Sequence, residues 1–156
     1  MDKYCFGVDL GGTTVKIGLF SIEGQLQDKW EIPTRTENHG AEILSDIAAS
    51  IQRRMDTGHL SKEQVTGIGI GVPGPVLNEN IVQGCVNLGW GNVRVADELS
   101  ALTGLKVKAA NDANVAALGE QWQGGGKGFQ NLVMFTLGTG VGGGIIQNGR
   151  IISGAN

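Results

Sequence analysis

The chain has 156 residues, 12 Lys and Arg against 15 Asp and Glu, a net charge of −3, 40% hydrophobic and 17% charged residues. That balance belongs to a folded domain with a sizeable core and excludes a disordered chain or a basic nucleic-acid binder. With no apolar run near the roughly 20 residues that cross a bilayer, no signal-peptide core after Met1-Asp2-Lys3-Tyr4 and no metal or disulfide spacing of Cys5 and Cys85, a cytoplasmic protein without membrane or nucleic-acid partners is expected.

One count stands apart. There are 27 glycines in 156 residues, more than twice the usual share of about 7%. They cluster at 11–12, 67–74, 84–91, 124–128 and 138–144, beside segments that read as strands or helices. Glycines placed this way let backbone approach a neighbour or a ligand closely.

The first element is a β-hairpin, Tyr4 to Val8 and Val15 to Phe20, around Asp9-Leu10-Gly11-Gly12-Thr13-Thr14. Its tip is either an ordinary tight turn or a cradle in which backbone N–H groups and hydroxyls meet phosphate oxygens. A third strand over 25–33 completes an antiparallel meander. Ile43, Ile47, Ile51 and Met55 recur every fourth residue, so a helix is predicted over 41–55, stopped by Gly58. Ser61-Lys62-Glu63-Gln64 has the pattern of a capped turn. Val65 to Val72 reads as a buried strand ending in Pro73-Gly74-Pro75. Residues 76–90 form a long irregular stretch, and such stretches inside compact domains are usually functional.

Asn92 is placed to cap a second helix over 93–103, with Val95, Ala96, Leu99 and Leu102 as its apolar face and Gly104 as its stop. A strand over 105–109 leads into Asn111-Asp112 and a third helix over 113–122. The run Gly124-Gly125-Gly126-Lys127-Gly128 breaks regular structure and marks the expected domain boundary. A strand over 132–137, a glycine-rich turn over 138–144 and a returning strand repeat the opening unit. Antiparallel strands followed by strands alternating with helices imply an α/β fold whose mixed sheet carries helices on both faces.

Four ordered segments resemble the motifs of the ROK family (repressor, open reading frame, kinase), with bacterial glucokinases the nearest likeness. They are Asp9-Leu10-Gly11-Gly12-Thr13, Gly71-Val72-Pro73-Gly74, Asn111-Asp112-Ala113-Asn114 and Gly138-Thr139-Gly140-Val141-Gly142-Gly143-Gly144. The resemblance covers essentially the whole chain. It implies an actin-like, ribonuclease-H-like ATPase fold of two lobes, with ATP and a hexose, glucose first, in the cleft. Residues 1–123 would form the N-terminal lobe with its sugar and phosphate loops. Residues 124–156 would form a hinge and the first β-hairpin of an incomplete C-terminal lobe.

The resemblance also assigns roles. Gly11, Gly12, Thr13, Thr14, Gly138, Thr139, Gly140, Val141, Gly142 and Gly143 would face the ATP phosphates. Asp9 would hold Mg²⁺ through water. Lys16 is either a further phosphate contact or a solvent-facing strand residue. Asp112 matches the catalytic base, and an Asp at that place is also a good helix cap. Gly71, Pro73, Gly74, Asn87, Asn111 and Asp112 would meet the sugar, with amide side chains serving vicinal hydroxyls. Trp90 would either wall the sugar site or pack. Glu120 reads as solvated or interdomain.

Kinases of the family are about twice as long and carry, past this point, a Glu-x-Gly-His segment and a cysteine-rich zinc motif. Structural zinc is therefore expected only in that missing part, and residues 1–156 alone are expected to be inactive. Exposed strand edges leave homo-oligomerisation open. The alternative reading is a sugar-responsive transcriptional regulator or non-catalytic sensor of the same family. Such repressors carry a helix-turn-helix before the first glycine hairpin, for which a hairpin starting by Tyr4 leaves no room. The charge is also wrong for DNA.

Overall fold

The alternating pattern of the first 33 residues produces the expected meander in the computed structural model, which describes residues 2–138 and 140–153. Strands β1 (Tyr4–Leu10), β2 (Thr14–Ser21) and β3 (Leu26–Pro33) pair antiparallel in sequence. Phe6, Val8 and Leu10 of β1 and Val15, Ile17 and Leu19 of β2 point to one face and are buried. A one-turn segment, α1 (Glu37–Gly40), contains Asn38 and His39 in the left-handed region. It leads to helix α2 (Ile43–Thr57). The predicted stripe is correct: Ile43, Ile47, Ile51 and Met55 are each at most 3% exposed. Burial of side chains this size contributes about 1.5–3 kcal/mol apiece.

Ser61 N donates to Gln64 Oε1 at 3.1 Å, forming the predicted short turn before β4 (Val65–Val72). Strand β4 lies parallel to β1, and Asp9 faces Gly71 in the register. The stretch expected to be irregular is instead a second small sheet. Strands β5 (Val76–Leu77), β6 (Ile81–Cys85) and β7 (Trp90–Arg94) pair in that order, with a 3-10 turn over Val86–Leu88 before β7. Its strands are two to five residues long, too short for alternation to show in the sequence.

Helix α3 (Val95–Thr103) therefore starts later than predicted, and Asn92 is a residue of β7 rather than its cap. The capping is done from a distance. Asn80 Oδ1 accepts from Asp97 N at 3.0 Å, and Asn80 Nδ2 donates to the Asp97 carboxylate at 2.9 Å. Leu102, assigned to the apolar face, is 54% exposed, whereas Thr103 is buried. Thr103 is tolerated there because its hydroxyl donates to Leu99 O at 2.8 Å and accepts from Leu105 N at 3.2 Å. Strand β8 (Val107–Asn111) completes a five-stranded mixed sheet of order β3-β2-β1-β4-β8.

Helix α4 (Asp112–Gln123) follows, then β9 (Leu132–Leu137), β10 (Val141–Gln147) and β11 (Arg150–Ile151) in a three-stranded sheet of order β11-β10-β9. The chain divides into two compact units, 1–110 and 111–156. The division thus falls before α4 and not at the 124–128 glycine run. The physical reason is packing: α4 lies on β9 and β10. The glycine run only closes the helix, with Glu120 accepting from Gly125 N at 2.8 Å through its carboxylate.

The cap assignment is testable. Asn80→Ala should lower the stability of the chain by about 1 kcal/mol in urea unfolding, the usual cost of losing a helix cap. Asn92→Ala should stay within about 0.5 kcal/mol of the parent. The reverse order would restore the cap to Asn92.

Candidate functional site

In the first unit the site is built on the ends of β1 and β4. Leu10 pairs with Val15, and Gly11 N donates to Thr14 O at 3.1 Å, so Gly12 and Thr13 form the hairpin tip. A Cβ on Gly11 would meet Thr14 O at 2.8 Å, so the turn itself demands glycine there. A Cβ on Gly12 would meet only Asn87, at an ordinary 3.7 Å. The fold therefore does not require a glycine at position 12, although the tip is left bare there.

Asp9 is exposed one residue before the end of β1, cross-strand from Lys16 and beside Gly71. Lys16 in turn faces Glu31 of β3. Directly opposed residues share a face of the sheet, so Glu31, Lys16 and Asp9 alternate in charge along one row that ends at Gly71. Lys16 is an exposed strand residue, and it stands next to the carboxylate expected to hold the cation.

Beyond Gly71 the turn at Pro73-Gly74-Pro75 is pinned at three points. Gly74 N donates to Val72 O at 3.0 Å, Cys85 Sγ donates to Pro73 O at 2.9 Å, and Gln83 N donates to Pro75 O at 2.9 Å. The same β6 strand leads into the 3-10 turn that carries Asn87. Gly89 ends that turn in the left-handed region at φ 72°. Asn87 thus reaches the hairpin tip because Leu88 is fully buried and holds its turn down. Trp90 packs: it is 7% exposed and its Nε1 donates to Gly40 O at 3.2 Å. Sequence reasoning missed Cys85 as an anchor, and nothing in its neighbours signals a contact made 12 residues away.

In the second unit, Asn111 and not Asp112 is the helix cap. Asn111 Oδ1 accepts from Ala113 N at 3.1 Å and Asn114 N at 3.3 Å. Asp112 is the first helical residue, with its Oδ1 accepting from Ala113 N at 2.8 Å. Its carboxylate is therefore oriented at the start of α4 without being needed to cap it.

The second glycine run splits into two parts. Gly138 and Gly140 lie in the turn, and a Cβ on either would meet nothing within 4 Å; Thr139 lies outside the described residues. Val141, Gly142 and Gly143, expected in the loop, are residues of β10. Gly142 and Gly144 point toward α4: a Cβ on Gly142 would first meet the Thr136 hydroxyl of the paired strand and then Ala113 Cβ at 3.1 Å, and one on Gly144 would come within 2.9 Å of Ala113 O and 2.5 Å of Ala117 Cβ. Gly144 lets the helix approach the sheet, and Gly142 makes room for Thr136 as well as for the helix.

No group of three or more His, Cys, Asp or Glu able to hold a metal occurs among the described residues. A lone exposed Asp9 suits Mg²⁺, which binds through one or two carboxylates together with phosphate oxygens rather than in a protein cage.

Residues 5–156 match the ROK family. The chain belongs to the ROK family. It is 45% identical to the glucokinase of Halalkalibacterium halodurans over 156 residues, covering 99% of this chain and 47% of that protein. It superposes on a ROK family glucokinase from Streptomyces griseus, solved in complex with glucose and AMPPNP, with a TM-score of 0.84 at 33% identity, covering 97% of this chain and 47% of that one. A ROK family transcriptional regulator, a homologue of the E. coli MLC protein, superposes at 0.81 with 25% identity, covering 96% and 38%. The chain spans about half the length of the curated ROK relatives it matches. Its mixed sheet with helices is the actin-like ATPase fold of the ROK sugar kinases.

The two kinds of glycine should separate in unfolding experiments. Gly144→Ala drives a methyl into α4 and should cost about 1–3 kcal/mol. Gly12→Ala and Gly138→Ala should each stay within about 0.5 kcal/mol of the parent. Equal losses at all three positions would remove the distinction.

Proposed function

We infer that the protein carrying this chain is an ATP-dependent hexose kinase that phosphorylates a sugar hydroxyl, glucose to glucose 6-phosphate. The observation that carries this reading is the placement of Asn87 at the hairpin tip, where a Cβ on Gly12 would lie 3.7 Å from the Asn87 Cβ and backbone O. It sets a residue of the type that suits a polyol beside a bare turn suited to phosphate. The glucokinases among the relatives, and the glucose and AMPPNP bound by a structural neighbour, support the same reading.

In this mechanism the backbone N–H of Gly12 and the hydroxyls of Thr13 and Thr14 hold phosphate oxygens, and Gly11, whose N–H is committed to Thr14 O, shapes the turn that presents them. Gly138, Thr139 and Gly140 are assigned to phosphate as well, and Lys16 adds charge. Asp9 would hold Mg²⁺, which when bound neutralises phosphate charge. The Gly71-to-Gly74 turn, Asn87 and Asn111 hold the sugar. Its hydroxyl oxygen attacks the γ-phosphorus, the bond to the ADP oxygen breaks, and Asp112 accepts the hydroxyl proton. Phosphoryl transfer passes through a loose transition state, so positioning outweighs the strength of the base. Val141 and Gly143, as strand residues, follow the turn rather than form it.

Residues 1–156 by themselves are proposed to be inactive, with a cytoplasmic setting and with zinc bound only by sequence outside this chain. The apolar face of β9 and β10, on which Phe135, Leu137 and Val141 are more than 70% exposed, supports self-association of the isolated chain. The regulator-like neighbour keeps a second reading open to test, a sugar sensor acting on DNA. The presence of Asp112 at the head of α4 favours the kinase.

Asp112→Asn in the whole protein should lower kcat about 10²–10⁴-fold in a coupled ADP-release assay with glucose, with KM for glucose little changed. A parent protein that releases no ADP with any hexose, yet binds operator-like DNA tightly and in a salt-dependent way, would replace the kinase with the regulator.

A further inference from the structure

We propose that Thr34 is a positioning residue for the phosphate turn, and that residues 34–40 form a strap joining this turn to the one that carries Asn87. Thr34 lies just past β3 and holds the hairpin tip twice. Its hydroxyl donates to Gly11 O at 2.7 Å, and its backbone N–H donates to Thr13 O at 2.9 Å. Each carbonyl turned toward Thr34 shares a trans peptide with the next residue's N–H, that of Gly12 or Thr14, and so points that N–H the opposite way. The hydroxyl is half-buried, so its partner would lose a hydrogen bond in a place where water replaces it poorly.

The rest of the strap is fastened at each step. Arg35 makes a two-pronged ion pair with Asp46 of α2, Nε to Oδ2 at 2.7 Å and Nη2 to Oδ1 at 2.6 Å. A paired guanidinium of this kind resists sliding along the helix. Asn38 and His39 then take left-handed backbone conformations, φ 51° and 58°, which non-glycine residues adopt only when their surroundings hold them there. Gly40, at φ 65°, closes the strap: its carbonyl accepts from Trp90 Nε1, and any Cβ would lie 2.5 Å from Leu88 O. Leu88 ends the turn that sets Asn87 beside Gly12, and Trp90 opens the strand after it. One continuous segment thus fixes both sides of the Gly12–Asn87 contact.

The proposal rests on the kinase reading for its consequence and on geometry for the tie itself, so two measurements separate them. The first compares hydrogen exchange of the Gly11 and Thr34 amides in the parent, Thr34→Val and Thr34→Ser. Loss of the hydroxyl should speed exchange at both amides in Thr34→Val, and Thr34→Ser should restore protection. The second measures steady-state kinetics of the whole protein. Thr34→Val should raise KM for ATP about tenfold, the scale of one lost hydrogen bond to a half-buried carbonyl, with KM for glucose changed by less; Thr34→Ser should return it to within about twofold. Unchanged exchange in Thr34→Val overturns the tie. Faster exchange with an unchanged KM for ATP overturns the positioning role. A parent that phosphorylates no sugar overturns the kinase reading alone, and the exchange comparison still decides whether Thr34 holds the tip.

Discussion

The register of β1 between its two neighbours is the constraint on which the site depends. With β1 antiparallel to β2 and parallel to β4, Asp9 is set opposite Lys16 on one side and Gly71 on the other. A slip by one residue would turn Asp9 into the core and expose Val8 or Leu10. The buried face, from Phe6 to Leu10 and from Ile68 to Val72, therefore holds the polar face in place. Because β1 and β4 run the same way, the glycine tip after β1 and the proline-glycine turn after β4 leave the sheet at the same edge. Open α/β sheets bind their ligands at that kind of edge.

The abundance of glycine has two physical origins that look alike in the sequence. At Gly142 and Gly144 the cause is internal: α4 approaches β10 so closely that Ala113 and Ala117 occupy the side-chain space at Gly144, and the Thr136 hydroxyl of β9 occupies it at Gly142. At Gly12, Gly138 and Gly140 no neighbour within the chain demands it. Openness alone is not decisive, because Gly69, Gly91 and Gly119 are equally unobstructed. What distinguishes Gly12 is its company: an exposed carboxylate three residues back, hydroxyls on the next two residues and Asn87 close by, its Cβ 3.7 Å from where a Cβ of Gly12 would lie.

The strap over residues 34–40 shows how a short polar segment acquires a role that its composition does not display. Thr34, Arg35 and Gly40 touch the hairpin tip, α2 and the first residue of β7 respectively. Each contact spans between 11 and 50 residues of chain. The edge strand β3 is held against the core and α2 in a comparable way. Trp30 meets Phe6 edge-on at 6.3 Å, donates to Ser50 Oγ and lies under the Arg54 guanidinium, which also pairs with Asp28.

The sequence by itself determined the elements whose periodicity is long enough to read. The opening meander, the isoleucine stripe of α2, strand β4, the α4 segment and β9 all lie within a few residues of where their patterns place them. It also offered Asp9, Gly11 to Thr14, Asn87 and Asp112 as candidates, because glycine turns, amides and carboxylates in ordered motifs are groups suited to phosphate and sugar chemistry. Only the tertiary structure decided the rest. Strands β5 to β7 are too short to show alternation, and Asn80 caps α3 from 17 residues away. Asn111 rather than Asp112 is the cap residue of α4, and the Asp112 carboxylate shares only the Ala113 N–H with it. The boundary falls at Ala110 because α4 packs on the sheet that follows it. In each case the deciding contact is remote in the chain, and neither propensity nor spacing carries information about which remote residue arrives.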